Sequence, residues 1–566
     1  MVREWKILKK FDDEYKKQFK DLDDVVIQLL YNRGIRDKKQ AVDFFQPSYE
    51  KMFDPYLLKD IKKATDRIIK AIDEKEEIVI FGDYDVDGIT STAIVYKILE
   101  KLKAKVNFYI PHRIQEGYGL NKKSIDFFST KKTKLIITVD NGISNFEEVA
   151  YAKKKGIDVV ITDHHEVPKK IPNALAIINP KQKGDKYPFK DLAGAGVAFK
   201  LVNALVLEIN KKKKKEIISP GYLKWCLDLV ALGTISDIVP LVSENRIIAY
   251  FGLLVLSKTR NVGLKELAKV AGVDLKNSDP YMVGFQISPR LNAAGRMAHA
   301  ASAFELLITS DELEAGVLSM KLEKLNKERQ DLVLKIVNQL KIDYKESKIN
   351  NIVLLKNEEW NSGIIGLIAG RMSGELSRPV FCMAQEREII KGSVRSDVDF
   401  NVIETLSVFE KIFINYGGHK NAGGFSLKIE DYNLFKEQVL QYGDNKLKEE
   451  ELKSYLNIEK ELEFSDINID LYNQIKKFEP FGNKNEEPLF ITKNVKIKES
   501  KKVGKDSSHT KLKLTKNGKD FSAILFNHGD VGDSLYYGKD IDIVYKIDLN
   551  EWNGRKSLEL KIEDLK

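Results

Sequence analysis

The stretch IFGDYDVDGIT, residues 80–90, places three carboxylates at alternate positions directly after an apolar run, at Asp83, Asp85 and Asp87. Charges of one sign at this spacing repel one another, and a solvated loop has no need of them. The apolar run in front of them is typical of a buried strand. We therefore expect a cation to be held where this strand ends.

The calcium loop of an EF-hand is the nearest general pattern, because it has the form D-x-D-x-D-G with a bidentate Glu at the twelfth position. Counted from Asp83, the twelfth residue is Ile94, whose side chain cannot bind a metal. The preceding run IVIFG also has the character of a strand and not of the helix that enters an EF-hand. The EF-hand interpretation is therefore excluded.

Acidic residues recur at the ends of apolar segments further along the chain. LIITVD ends at Asp140, VVITD at Asp163 and LVALGTISD at Asp237, and we interpret each segment as a strand that ends in an acid. Strands that alternate with helices indicate a parallel sheet, whose strands share one carboxyl edge. A single Asp after a strand is commonly a helix N-cap, but the whole set predicts acids that converge on one rim.

Two histidines, His164 and His165, follow Asp163 directly. Carboxylates combined with imidazole suit Mn²⁺ or Mg²⁺ better than structural zinc, and the two cysteines of the chain, Cys226 and Cys382, lie far apart. Two ions about 3.5–4 Å apart that share a carboxylate would neutralise such a cluster and activate a water for phosphoester cleavage. The residue types therefore indicate a site for two ions.

Composition sets the remaining bounds. A chain of 566 residues with 43% hydrophobic and 31% charged residues is expected to fold into several globular domains. The net charge of +9 gives weak support to a polyanionic partner such as nucleic acid. We recognise neither a signal peptide nor an apolar run long enough to span a membrane, so we expect a cytoplasmic protein without a membrane partner.

Changes of pattern divide the chain into five segments of α/β and β character. Alternating short apolar runs and helical stretches indicate parallel-sheet α/β structure, and strands of alternating polarity with turn signals indicate a small antiparallel barrel or sandwich. The expected segments are 1–75 (helical), 76–310 (parallel-sheet α/β domain), 311–345 (connector helix), 346–455 (second α/β domain) and 456–566 (antiparallel β domain).

Three motifs together, DYDVDG (83–88), VDNG (139–142) and TDHH (162–165), resemble those of the DHH phosphoesterase superfamily. Further motifs resemble, in order along the chain, the RecJ family within it: YIPHRIQEGYGLN (109–121), GTISDIVPL (233–241), SPRLNAAGRM (288–297), GSVRS (392–396) and YGGHKNAGGFS (416–426). This resemblance implies a DHH domain, a connector helix, a DHH-associated α/β domain and a C-terminal OB-like β-barrel.

The resemblance implies an exonuclease of DNA repair and recombination that degrades single-stranded DNA from 5′ to 3′ into mononucleotides, with two Mn²⁺ or Mg²⁺ ions. It also implies a monomer, with a helicase and a single-strand-binding protein as candidate partners. Asp83 and His165 correspond to catalytic residues; Asp83 supports the metal shell, and His165 contacts the scissile phosphate. The metal ligands are expected to be Asp85, Asp87, Asp140, His164 and Asp237, with Asp140 bridging the two ions.

Substrate contacts are also implied by the resemblance. Arg113, Ser393 and Arg395 correspond to the pocket for the 5′-phosphate, and a guanidinium matches phosphate oxygens in a bidentate manner. The other expected contacts are Tyr118, which would stack on a base, and Asn292, Arg296 and His419. In the C-terminal domain, lysines and aromatics fit a basic groove with stacking platforms, although aromatics at alternate strand positions more often belong to a core: Lys496, Lys498, Lys501, Lys502, Lys511, Lys513, Phe521, Phe526 and Trp552.

Two other functions remain open from the sequence. A DHH phosphodiesterase that acts on short oligoribonucleotides or cyclic dinucleotides is typically shorter and lacks the OB tail. A catalytically silent relative that only binds DNA would have lost metal ligands, whereas all of the expected ligands are present here. Both observations favour the nuclease.

Overall fold

The computed structural model describes residues 3–345, 350–447, 455–504, 507–528, 535–552 and 554–566. They form two compact units, Tyr49–Leu452 and the combination of Met1–Ser48 with Lys453–Lys566. Across the described helices, none combines the length and the apolar character needed to cross a membrane. The boundaries of the five expected segments stay predictions.

The described residues from 3 to 308 form six strands and fourteen α-helices. They are β1 (Glu4–Ile7), α1 (Asp13–Lys17), α2 (Asp24–Asn32), α3 (Lys38–Phe45), α4 (Ile61–Asp73), β2 (Glu77–Phe81), α5 (Val86–Lys101), β3 (Lys105–Tyr109), α6 (Lys122–Thr130), β4 (Thr133–Val139), α7 (Phe146–Lys154), β5 (Asp158–Thr162), β6 (Ala176–Ile178), α8 (Gly194–Lys213), α9 (Pro220–Trp225), α10 (Leu227–Ser236), α11 (Ser243–Leu256), α12 (Val262–Ala271), α13 (Ser288–Met297) and α14 (Ala301–Ile308).

The first α/β domain is built on a parallel sheet with the strand order β3-β2-β4-β5-β6. Apolar residues cover both faces of the sheet, so its strands are nearly continuous apolar runs and the predicted parallel sheet is confirmed. One expectation is wrong: LVALGTISD does not form a strand, because residues 227–236 form the helix α10. A buried helix is apolar on all sides, and its sequence therefore looks like that of a buried strand.

A connector and a second α/β domain complete this unit. The helix α15 (Glu312–Lys345) runs for 34 residues, which confirms the connector helix. The second sheet has the order β10-β11-β9-β8-β7, in which β7 and β8 are parallel and the other pairs antiparallel. Its elements are β7 (Val353–Asn357), α16 (Ile365–Leu376), β8 (Val380–Glu386), β9 (Ile389–Arg395), α17 (Val402–Val408), β10 (Phe413–Gly418), β11 (Ala422–Lys428) and α18 (Tyr432–Lys446).

The C-terminal segment forms a closed five-stranded barrel, as the OB-like expectation requires. The barrel order is β14-β15-β16-β18-β17, and β17 pairs back with β14 to close it. The elements are β12 (Tyr455–Ile458), β13 (Lys460–Glu461), α19 (Ile469–Lys476), β14 (Phe490–Val503), β15 (His509–Lys516), β16 (Lys519–Leu525), β17 (Asp540–Trp552) and β18 (Arg555–Leu565).

The expected basic groove of the barrel is only partly free for a ligand. Lys498 forms an ion pair with Asp520, and Lys511 forms one with Glu559. Phe521 belongs to the barrel core, whereas Phe526 is exposed, and the side chain of Trp552 lies outside the described residues. Paired lysines supply less net positive charge to a nucleic acid than the composition suggests.

Residues from both ends of the sequence share the core of the barrel unit. Strand β1 pairs in parallel with β12, and apolar residues of α1 and α2 pack into the same cluster as the barrel residues. Arg33 forms an ion pair with Glu459 at 3.0 Å, with side chains only 6% and 11% exposed. Its Nε also donates to Asn485 Oδ1 at 2.7 Å. The N-terminal segment is therefore part of the barrel unit's fold.

Arg33→Ala is expected to lower the free energy of unfolding of the barrel unit by about 3 kcal/mol or more, because it leaves Glu459 buried without its cation. Lys16→Ala is the matched control, since Lys16 pairs with Asp24 where both side chains are 46% exposed. We expect that change to cost less than about 1 kcal/mol. Urea titration followed by circular dichroism measures both values, and equal losses would contradict the role given to Arg33.

Candidate active site

The three carboxylates of the opening stretch lie between β2 and α5, and each has a different environment. Asp85 is the N-cap of α5 and accepts a hydrogen bond from the Gly88 N–H at 3.1 Å. Asp87 lies in the first turn of α5 and is only 2% exposed. Its two oxygens accept from the N–H groups of Gly194 and Ala195, at 2.6 and 2.8 Å, where α8 begins. The helix dipole of α8 therefore favours a negative charge on Asp87.

The other predicted ligands converge on the same place. Asp140 follows β4 in a left-handed conformation with φ of 60°, and Asp237 caps the C-terminus of α10. His164 Nε2 lies 3.1 Å from Asp140 Oδ1, 3.6 Å from Asp237 Oδ2 and 3.8 Å from Asp87 Oδ2. Asp237 thus lies at the C-terminus of a helix, and it meets there the acids that follow the parallel strands.

Within the described part of the chain, several buried polar atoms of the site lack a hydrogen-bond partner, as expected of metal ligands. Asp83 Oδ1, Asp140 Oδ1 and His164 Nε2 are buried without a hydrogen-bond partner among the described residues. Candidate ligand atoms of Asp83, Asp85 and Asp140 lie within 4.8 Å of one another, as do those of Asp87, His164 and Asp237. Two groups of carboxylate oxygens with one imidazole fit two Mn²⁺ or Mg²⁺ ions and do not resemble a structural zinc site.

Burial without cations raises the pKa values of the acids. The pKa of Asp87 rises to about 7 through desolvation and then the charge of Asp85. Desolvation, followed by neighbouring acids, also raises the pKa values of Asp83, Asp140 and Asp237 well above the ordinary range. These shifts are the electrostatic cost of holding the carboxylates together, and a bound dication offsets that cost.

Asp163 orients the two histidines and is fully buried. Its carboxylate accepts hydrogen bonds from the N–H groups of Ile143, His164 and His165 at 2.9, 2.7 and 3.1 Å, and from His165 Nδ1 at 2.7 Å. Although burial raises the pKa of Asp163, the hydrogen bond and charge of His165 hold it at about 2. The sequence placed Asp163 at the rim without a role, and its contacts supply one.

The two histidines differ in charge because of this arrangement. Burial and the charge of His165 lower the pKa of His164 to about 3, so His164 stays neutral, as a ligand must. Burial lowers the pKa of His165, but the hydrogen bond and charge of Asp163 outweigh it and raise the pKa to about 9. His165 is therefore a cation at neutral pH and can donate to a phosphate oxygen.

Two glycines leave room for the carboxylates. A Cβ at Gly194 would lie 2.7 Å from Asp140 Oδ1, and a Cβ at Gly233 would lie 2.6 Å from Asp87 Oδ1. Any side chain at either position would displace an acid of the cluster. The close approach of α8 and α10 to the strand ends therefore depends on both glycines.

A cavity of about 880 Å³ opens beside the acids, and both α/β domains line it. His164 is buried beneath it, and among the described residues His419 also lies outside its lining, near enough for its charge to act on His164. The other predicted site residues all line the cavity: Asp83, Asp85, Asp87, Arg113, Tyr118, Asp140, His165, Asp237, Asn292, Arg296, Ser393 and Arg395.

Three arginines form the cationic part of the cavity. Arg395 Nη1 donates to Ser393 Oγ at 3.0 Å, Arg296 Nη1 donates to the Gly363 carbonyl at 3.0 Å, and the Arg113 guanidinium lies 4.6 Å from the centre of the Tyr84 ring. Burial and the charges of Arg113, Arg329 and Arg395 lower the pKa of Arg296 to about 9. Cations that destabilise one another in this way favour a bound anion.

Two further residues complete this arrangement. Tyr84 lies in the DYDVDG motif, and its ring contacts the Arg113 guanidinium and orients it. The sequence did not predict this role, because the motif was interpreted through its acids alone. Asn292 Oδ1 accepts from the Val86 N–H at 3.2 Å, so Asn292 supports the start of α5 besides lining the cavity. Tyr118 donates from its hydroxyl to the Asp140 carbonyl at 3.0 Å.

Comparison with protein-family models finds three matches in chain order. The DHH family N-terminal domain matches residues 77–234, the DHHA1 domain 348–443 and the RecJ OB domain 458–564. The single-stranded-DNA-specific exonuclease RecJ of Haemophilus influenzae is 34% identical over 90% of this chain and 91% of that protein. The chain belongs to the RecJ family. The RecJ of Bacillus subtilis is 37% identical over 99% of this chain and 70% of its own length.

Solved structures of the RecJ family have the same fold. The crystal structure of Thermus thermophilus RecJ in complex with Mn²⁺ superposes with a TM-score of 0.85 and 28% identity, over 100% of this chain and 79% of that one. The Mg²⁺ complex of the same protein gives a TM-score of 0.79 and 26% identity, over 99% and 78%. These RecJ structures hold ions of the kind that the donor set here fits.

Asp163→Asn is expected to lower the pKa of His165 from about 9, because burial still disfavours the cation while the charge of Asp163 is lost. A smaller fraction of His165 should then be cationic at pH 8 in the variant than in the parent. Titration of ¹³C-histidine-labelled, metal-free protein by NMR measures this change. Asp228→Asn, a buried acid bonded to Thr259 elsewhere in the same unit, is the control, and an unchanged His165 in Asp163→Asn would contradict the assignment.

Proposed function

We propose that this chain is a metal-dependent exonuclease that removes mononucleotides from the 5′ end of single-stranded DNA, in DNA repair and recombination. One observation carries the proposal: a single cavity joins a cluster of carboxylates and imidazole to a cluster of arginines. The first cluster suits phosphodiester hydrolysis, and the second suits a terminal phosphate. The names of the relatives supply the substrate class.

In this proposal Asp85, Asp87, Asp140, His164 and Asp237 would hold two Mn²⁺ or Mg²⁺ ions, with Asp140 as the ligand shared between them. Such ions would supply a water of lowered pKa and positive charge beside the phosphodiester. Asp83 lies within 4.8 Å of Asp85 and Asp140 and supports the ligand shell. The amide groups at the start of α8 fix Asp87, so the carboxylates need little rearrangement during the reaction.

His165 has the role of donor to the scissile phosphate. Its half-exposed side chain lines the cavity, and Asp163 behind it keeps it cationic. Charge develops on the phosphate oxygens in the transition state, and a fixed cation stabilises that charge. The two neighbouring histidines therefore have different roles. His164, buried among the acids, is the metal ligand, and His165, which faces the substrate, is the hydrogen-bond donor.

Arg113, Ser393 and Arg395 bind the 5′-phosphate in this proposal, and Asn292 and Arg296 contact the backbone of the strand. Binding the end of the strand beside the metal cluster sets the distance from the end to the bond that is cut. The exposed ring of Tyr118 stacks on a base, and His419 contacts the backbone of the strand. The end-binding residues thus determine that a single nucleotide is released.

Both walls of the cavity come from one chain, which supports a monomer as the active form. An enzyme specific for single strands needs another protein to separate a duplex, so a helicase is a natural partner in the cytoplasm. A single-strand-binding protein would share its substrate. A phosphodiesterase of short oligoribonucleotides or cyclic dinucleotides is less well supported, because such enzymes are typically shorter and lack the OB barrel that this chain has.

Digestion of end-labelled single strands tests the proposal. With Mn²⁺, a 5′ label should appear at once as mononucleotide while a 3′ label stays in shortening fragments, and EDTA should stop both. Asp140→Ala should lose cleavage and keep single-strand binding, whereas Asp126→Ala, at an exposed acid of α6 paired with Lys155, should keep both. Faster cleavage of dinucleotides or cyclic dinucleotides, or turnover by Asp140→Ala, would contradict the proposal.

Arg395→Ala tests how the strand end is recognised. We expect kcat/KM to fall by about 10-fold or more on 5′-phosphorylated strands and much less on 5′-hydroxyl strands, because a charge-assisted hydrogen bond is lost only from the first. Arg387→Ala is a control at an exposed arginine of the same domain. Equal losses on both kinds of end would contradict the role of Arg395.

A further inference from the structure

Part of the second sheet presents an open face to the cavity. Helix α16 covers β7 and β8, where its Ile365 and Ile368 pack with Leu355 and Cys382. The helix also reaches β9, since a Cβ at Gly366 would lie 3.1 Å from both Ser393 Oγ and Arg395 Nη2, and residues of β9, β10 and β11 line the cavity. Nothing in the proposed chemistry uses the part of this face beyond Ser393.

The strand register places the side chains of this face in transverse rows. Arg395 pairs with Ala422 in one row, and Ser393 pairs with Gly424, which pairs with Gly417, in the next. The third row contains Lys391, Ser426 and Asn415. Paired residues share a face and alternate residues repeat it, so rows lie about 6.6 Å apart and Lys391 lies about 13 Å along β9 from Arg395.

The third row, which we call the polar row, consists of Lys391, Ser426 and Asn415. Among the described residues, none forms a hydrogen bond or ion pair with these three side chains. Ser426 is only 5% exposed, Lys391 is half-buried and Asn415 is exposed, and all three residues line the cavity. A ligand in this part of the cavity would find a donor on Lys391 and hydrogen-bonding groups on Ser426 and Asn415 that no described residue of the protein occupies.

Two glycines separate the polar row from the arginines. Neither Gly417 nor Gly424 has a positive φ, so no turn requires them. A Cβ at Gly417 would meet no atom within 4 Å, and one at Gly424 would meet only the Gly392 carbonyl oxygen, at 3.6 Å. Packing does not require them either. The bare backbone of this row lies beside Ser393, and neither glycine has a side chain that would keep a planar ring from lying against it.

We propose that the first nucleobase of the strand lies on Gly417 and Gly424, with its polar edge against Lys391, Ser426 and Asn415. This inference rests on the proposed function, which puts the 5′-phosphate of the same nucleotide at Ser393 and Arg395. The polar row is then a base-reading site that gives the enzyme a preference at the 5′ end.

Glu386 determines which chemistry fits this site. Glu386 also lines the cavity, and it lies diagonally from Lys391 on the neighbouring strand, because Ala384 is the residue that pairs with Lys391. A carboxylate there disfavours additional phosphates. Guanine suits the pair, since its O6 and N7 accept from Lys391 and its N2 amino group donates to Glu386. Thymine offers no amino group to Glu386, so we expect a 5′-terminal dG to bind better than a 5′-terminal dT.

The test uses four 5′-phosphorylated single strands that differ only in the first nucleotide, dG, dA, dC or dT. In single-turnover release of that nucleotide with Mn²⁺, the parent enzyme should favour the dG end over the dT end by roughly five-fold or more. Lys391→Met, Glu386→Gln and Ser426→Ala should each bring the two rates closer together. Arg395→Ala is the matched control, because it should lower the rates of all four ends and keep their ratio.

Calorimetric binding of dGMP and dTMP to the parent protein gives a second measurement that does not depend on any variant folding. Equal rates from all four ends, or a dG preference that all three variants keep, would overturn the base-reading site. Faster release from 5′-triphosphorylated strands that depends on Lys391 would also overturn it, because phosphates would then occupy the polar row. Failure to cleave any of the four strands would instead contradict the proposed function.

Discussion

Repulsion between buried carboxylates is the constraint on which the rest of this structure depends. Asp83, Asp87 and Asp140 are almost inaccessible to water, and burial followed by the charges of neighbouring acids raises the pKa of each of them. Bringing them together without cations lowers the free energy of unfolding, and dications that bind to the cluster offset this destabilisation. The surrounding elements keep the acids in place both with and without bound dications.

Several kinds of element share that task. Parallel strands supply Asp140 and the Asp163–histidine run at one edge, the start of α8 neutralises part of the charge of Asp87, and the end of α10 supplies Asp237. Gly194 and Gly233 allow these helices to approach. The second α/β domain then closes a cavity whose arginines have the opposite sign. The acids and the arginines therefore lie in one cavity, so that the site of hydrolysis lies next to the site that would bind a strand end.

Much of this follows from the sequence, because period and motif are local signals. The parallel sheet, the connector helix and the closed barrel were predictable, as was the convergence of the acids. The helical state of residues 227–236 was not, since a fully buried helix has no polar face to reveal its period. The contacts of Asp163, the support of Arg113 by Tyr84 and the ion pairs of Lys498 and Lys511 depend on tertiary packing, which no local pattern encodes.

Thermal unfolding of the parent and Asp140→Asn, at pH 8 in EDTA and in Mn²⁺, tests the central claim most directly. Asp140 Oδ1 has no hydrogen-bond partner among the described residues, so the change removes a buried charge at little other cost. We expect the variant to unfold at a higher temperature than the parent in EDTA and at a lower temperature than the parent in Mn²⁺. A parent that is more stable under both conditions, or a variant that gains as much from Mn²⁺, would contradict this expectation.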